Sequence, residues 1–117
     1  MKHRDSDRLA RLGAGSVRPA EALRSLSDAL LAMRTQKEMR SFLDDLCTPA
    51  ELEAIADRWR VVPLLLKNAP YREIHERTGV SVTTIGRIAR CLTFGAGGYR
   101  LAAERVLVPA RKPGPAR

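Results

Sequence analysis

Apolar residues return along the middle of this chain at helical intervals. Leu23, Leu26, Leu30 and Met33 fall at i, i+3, i+7 and i+10; Met39, Phe42, Leu43 and Leu46 fall at i, i+3, i+4 and i+7. Both spacings place side chains on one face of an α-helix. The next segment begins CTPAE, residues 47–51. Thr48 is a natural N-cap, Pro49 suits the first helical position and Glu51 completes a capping box. The helix that follows is expected to bury Leu52, Ile55, Trp59, Val62 and Leu66 as one stripe. Pro63 lies inside it and should kink it or break a hydrogen bond there. No stretch alternates with period two for long enough to make a strand. The pattern predicts an all-α fold of about six helices.

Residues 71–92, YREIHERTGVSVTTIGRIARCL, carry a second kind of signal. Ile74 and Thr78 would line the inner face of a short helix. Gly79 can take positive φ and make a tight turn. Val80 would plug that turn, and Ser81 would cap a following helix. Ile85, Ile88, Ala89 and Leu92 then face inward. A short helix, a glycine turn and a second helix packed on the first have the spacing of a helix-turn-helix, placed at about 71–92. Position 75, commonly Ala in such units, is His75, which would either splay the pair or point outward.

The outer face of the second helix is unusual. At about 100° per residue, Thr83, Arg87 and Arg90 fall about 140–200° from Ile85, with Thr84 and Gly86 flanking them. Ser81 and Val82 stand at the entry to the same face. Hydroxyls, a glycine and two arginines, without an acid, suit close approach to a DNA major groove and contact with guanine edges or phosphates. Arg72, at the head of the first helix, is placed for the backbone. The same spacing also occurs in packed helical hairpins that bind no DNA.

Charge sharpens the choice. The 117 residues hold 21 Lys and Arg against 13 Asp and Glu, for +8. The surplus is uneven. Seven bases and eight acids leave residues 21–70 at −1, while residues 1–20 and 108–117 carry +3 each and 71–90 carry +2. Two basic ends around a near-neutral middle point to a polyanion, nucleic acid before membrane. The chain is 44% apolar and 29% charged, a globular profile, and its length suits one domain with one modest core. No apolar run reaches the roughly 18 residues of a membrane span, and the N-terminus has no signal-peptide pattern. Cys47 and Cys91 have no zinc-type spacing and are expected as reduced thiols of a cytoplasmic, nucleoid-associated protein. With no catalytic constellation, metal cluster or phosphate loop, no enzyme is expected, and no cofactor or metal.

The organisation expected is a basic flexible extension over 1–17, a helical DNA-binding and dimerisation domain over 18–107, and a basic disordered tail over 108–117. The narrow apolar stripes of the first helices leave surface that a second copy would cover, so a homodimer is expected.

The segments TPAE, ADRWRV, YREI and GGYRLA, this last at 97–102, carry a resemblance. Over about residues 20–107 the chain resembles the Trp-repressor-like family of bacterial transcription regulators, in its YerC/YecD-type branch. The resemblance implies an intertwined all-helical homodimer with one helix-turn-helix per subunit, acting as a repressor on a palindromic operator with half-sites about one duplex turn apart. It also implies a ligand set. Thr48, Arg58 and Arg87 match positions that hold tryptophan in the sensing members. There a glycine and a serine after the second arginine line the pocket; here Ile88 and Cys91 stand in those places. Ile88 takes space the indole needs and Cys91 replaces a hydroxyl, so regulation without tryptophan is expected; another small effector stays open. Taken outside the resemblance, Thr48 reads as a helix cap, Arg58 as one half of a surface ion pair and Arg87 as a DNA contact. The alternative to a specific regulator is an adaptor module, or a non-specific architectural DNA binder, using the same basic face.

Overall fold

The computed structural model describes residues 18–107. The expected basic extensions, 1–17 and 108–117, lie outside the described residues. Six α-helices and no strand are present among the described residues: α1 Pro19–Ala32, α2 Gln36–Leu46, α3 Pro49–Leu66, α4 Tyr71–Thr78, α5 Val82–Phe94 and α6 Gly98–Val106. The chain divides into two compact units between Leu46 and Cys47.

The first unit holds α1 and α2. Pro19 opens α1 at a position where its missing N–H costs nothing. At α2 the Thr35 hydroxyl accepts from the Glu38 N–H at 3.0 Å, and the Glu38 carboxylate accepts from the Arg34 N–H at 2.8 Å. Neither helix has a fully buried residue. Of the expected stripes, Leu26, Leu30, Met33, Met39, Phe42 and Leu43 are half-buried. Leu23 and Leu46 are exposed, as is Leu31 at 83%.

The second unit holds α3 to α6 and the core. The capping box at its head is formed as the sequence predicts. Thr48 Oγ1 accepts from the Glu51 N–H at 3.1 Å, and Glu51 Oε1 accepts from the Thr48 N–H at 2.8 Å. Pro63 does not end α3: the helix runs on to Leu66, and the Pro63 carbonyl accepts from the Lys67 N–H at 3.1 Å. Lacking an N–H, Pro63 still leaves the Trp59 carbonyl without its usual donor, near the end of the helix where that loss disturbs least. Asn68, at φ 61°, then stops the helix in a Schellman motif: the Ala69 N–H reaches back to the Leu64 carbonyl and the Asn68 N–H to that of Leu65.

One apolar cluster holds the unit together: Val61, Val62, Ile74, Val80, Ile85, Ile88, Leu92 and Ala103. Trp59, Leu64, Leu65 and Tyr99 pack against it. The expected stripe on α3 needs correcting. Val62 is buried, but Val61 beside it is equally buried, while Ile55 is 48% and Leu66 40% exposed. A helix buries the arc that its neighbours cover, not the arc that is most apolar. α4, α5 and α6 cover the Val61–Val62 part of α3 and leave Ile55 uncovered.

Candidate nucleic-acid interface

The α4–turn–α5 pair is fastened by its own polar groups. Gly79 sits at φ 79°, and its N–H bonds the His75 carbonyl at 2.8 Å. A methyl group there would meet nothing within 4 Å, so what glycine supplies is the left-handed backbone rather than space. Thr78 Oγ1 donates to the Ile74 carbonyl at 2.7 Å and accepts from the Val80 N–H at 3.1 Å. His75 does not splay the helices. Its Nδ1 lies 2.7 Å from the Val80 carbonyl, and since a carbonyl only accepts, Nδ1 is the donor. From α3, Arg60 donates to the Arg77 carbonyl at 3.3 Å. Ser81 caps α5: its Oγ accepts from the Thr84 N–H at 3.1 Å and donates to Thr84 Oγ1 at 3.0 Å. Ile74, Val80, Ile85, Ile88 and Leu92 are buried beneath, and Ala89 half-buried.

The remaining face of α5 is open. Ser81, Val82, Thr83, Arg87 and Arg90 are exposed, with Thr84 and Gly86 half-buried. Arg72 is exposed near the head of α4. No acid occurs within α5. Two nearby arginines are paired: Arg60 with Asp57 at 3.2 Å and Arg77 with Glu73 at 3.4 Å. Among the described residues, Arg72, Arg87 and Arg90 form no ion pair. Three exposed arginines on or beside α5 are thus placed to donate to an anionic or carbonyl partner.

Three features escaped the reading of the sequence. Arg100, in the GGYRLA segment, donates through Nε to the Leu92 carbonyl at 2.8 Å and ties α6 to the end of α5. Tyr71 lies against Gly86: a methyl group on Gly86 would stand 3.9 Å from Tyr71 Cε2. Trp59, Arg60, Pro63, Leu64, Lys67, Arg77 and Thr78 line a hollow of about 430 Å³ where the C-terminal ends of α3 and α4 meet. Its cations complement the negative ends of the two helix dipoles, which accounts for them without a ligand. The aromatic in YREI and the arginine in GGYRLA were visible; which helix each would touch was not, because both contacts cross between elements.

The structure also places the residues that the resemblance would match to tryptophan-holding positions. Thr48 caps α3. Arg58 is exposed and lines a hollow of about 220 Å³ with Ala54, Asp57, Val80, Ser81 and Thr84. The ion pair expected of Arg58 is not formed with the adjacent acid, since Asp57 holds Arg60. Cys91 is an exposed free thiol on a separate hollow, beside Gly97, Gly98 and Tyr99. Ile88 is 2% exposed and belongs to the core. Cys47 is also a free thiol. Among the described residues, no group of three or more His, Cys, Asp or Glu could hold a metal, and no helix is long and apolar enough to cross a membrane.

Known proteins are similar to this chain in sequence and in fold. The family model described as Trp repressor protein matches residues 21–107. The uncharacterized protein YerC of Bacillus subtilis strain 168 is 37% identical over 84 residues, covering 72% of this chain and 81% of YerC. A TrpR-like protein from Eubacterium eligens superposes with a TM-score of 0.71 at 33% identity, over 75% of this chain and 91% of the other. A candidate Trp repressor from Staphylococcus aureus gives 0.71 and 33%, over 78% and 90%. The match spans all six helices, and with it the capped α3 and the turn between α4 and α5: the chain belongs to the Trp repressor family, in its YerC-type branch, a family of regulators rather than enzymes.

Proposed function

We propose that the chain is a sequence-specific DNA-binding transcriptional regulator, a repressor acting as a homodimer on a palindromic operator in the cytoplasm. One observation carries this reading: the acid-free face of α5 presents Thr83, Arg87 and Arg90 from a helix capped and fastened behind by its turn. In this reading Arg87 and Arg90 reach guanine edges or flanking phosphates, and Thr83 and Thr84 make short hydroxyl contacts. Ser81, Val82 and Gly86 allow the backbone close to the groove, and Arg72 holds a phosphate. The basic ends add salt-dependent affinity.

Self-association is supported by the apolar surface a single copy leaves open. Leu31, Phe94 and Val106 are 83%, 79% and 70% exposed, against eight buried apolar residues among those described. Operation without tryptophan is supported by Ile88, whose side chain fills the core where the sensing members carry glycine.

The test is to retain genomic fragments on the purified protein at moderate salt and sequence them. An enriched palindrome with half-sites about one turn apart supports the reading. Uniform retention that disappears with salt refutes specificity and favours a non-specific architectural role. No retention refutes DNA binding and moves weight to a protein adaptor. Calorimetry with tryptophan should give no heat of binding; micromolar affinity would refute the effector-independent part.

A further inference from the structure

We infer that Tyr71 is a further DNA contact, its ring seated over Gly86 beside the outer face of α5 and its phenol hydroxyl donating to a backbone phosphate. This rests on the DNA-binding reading above and adds to it a residue that carries no charge.

Tyr71 is the first residue of α4 and is 41% exposed. Its ring packs on α5 where α5 has no side chain, since a methyl group at Gly86 would stand 3.9 Å from Cε2. Gly86 lies between Thr83, three residues before it, and Arg90, four after it, and it adjoins Arg87. The ring therefore lies beside the face that carries Arg87 and Arg90, which form no ion pair among the described residues. Among the described residues the hydroxyl makes no hydrogen bond. A phenol with its body packed and its polar tip unpartnered is suited to a surface that is apolar below and polar above, which a deoxyribose with its phosphate provides. Arg72 follows directly, exposed and without an ion pair among the described residues. Pro70, which precedes α4, brings no side-chain cap to its first N–H groups. These neighbours favour a phosphate over a base edge.

The competing explanation is that Tyr71 merely fills space above Gly86. Tyr71→Phe separates the two, because it keeps the ring and removes only the hydroxyl. Binding to an enriched fragment would be followed by fluorescence anisotropy over a salt series. The unsubstituted protein, Tyr71→Phe, Arg72→Ala and Arg87→Ala would be compared. Losing a hydrogen bond to a charged group should weaken binding by Tyr71→Phe about tenfold. It should do so equally on operator and scrambled sequence, and without changing the salt slope, because no cation is lost. Arg72→Ala should lower that slope by about 1. Phosphate-ethylation interference supplies a second readout: one ethylation should weaken the unsubstituted protein and leave Tyr71→Phe indifferent. Unchanged affinity of Tyr71→Phe at every salt, or an unaltered ethylation pattern, would overturn the assignment. If that happens while Arg87→Ala still loses sequence preference, the DNA-binding reading stands and only Tyr71 falls. If the unsubstituted protein binds no DNA, both fall.

Discussion

Single residues in this chain do separable work. Gly86 and Gly95 illustrate it with opposite signs. At Gly86 a methyl group would meet only Tyr71, at ordinary contact distance, in the middle of a helix. Gly86→Ala should therefore stabilise the fold by about 0.5–1 kcal/mol through helix propensity, seen as a higher midpoint in thermal unfolding. On the reading proposed here it should at the same time weaken DNA binding, because the backbone is held further from the groove. At Gly95 a methyl group would collide with the Cys91 carbonyl. Gly95→Ala should lower the midpoint, and an unchanged melt would show that the end of α5 rearranges easily. Arg87→Ala should leave stability within about 0.5 kcal/mol, as for other exposed positions. It should cost about 1–3 kcal/mol of discrimination at one base position, measured by competition between operator variants. Ile85 sits on the other side of the same helix at 0% exposure. Ile85→Ala should cost about 2–5 kcal/mol of stability.

Helices here are legible where their ends are local. The start of α3 was plain in TPAE because every partner in the capping box lies within three residues. Thr48→Ala should destabilise by about 1 kcal/mol in a denaturant titration. The turn at Gly79, the cap at Ser81 and the inward set Ile85, Ile88 and Leu92 were legible for the same reason. The buried arc of α3 was not, since Val61 and Ile55 are equally apolar and only the neighbouring helices separate them. His75 was undecided from sequence. Whether its ring splays the pair or bonds a carbonyl depends on where Val80 lies, and that is set by the left-handed Gly79 between them. His75→Ala should cost about 1 kcal/mol by leaving that carbonyl short of a partner. His75→Asn should recover part of it if the side-chain amide reaches.

At the scale of the molecule, charge and uncovered apolar surface govern behaviour. A chain of +8 that meets phosphates should lose DNA affinity linearly in log salt. Removing residues 108–117, which carry +3, should lower the slope by up to about 2.7 if all three cations contact phosphates. An unchanged slope would place those cations away from the DNA. A homodimer should unfold at a midpoint that rises with protein concentration, and a midpoint independent of concentration would refute self-association.

What the sequence determined alone is the local and the additive: the six helices, the capping box, the glycine turn, the absence of acid from the outer face of α5 and the charged ends. Each depends on residues within about one helical turn of one another, or on simple counting. Tertiary structure decided which arc of α3 is buried, that Tyr71 rests on Gly86, and that Arg100 holds the Leu92 carbonyl. Those contacts join different helices. Helical periodicity says which side chains share a face, but only packing brings one face against another.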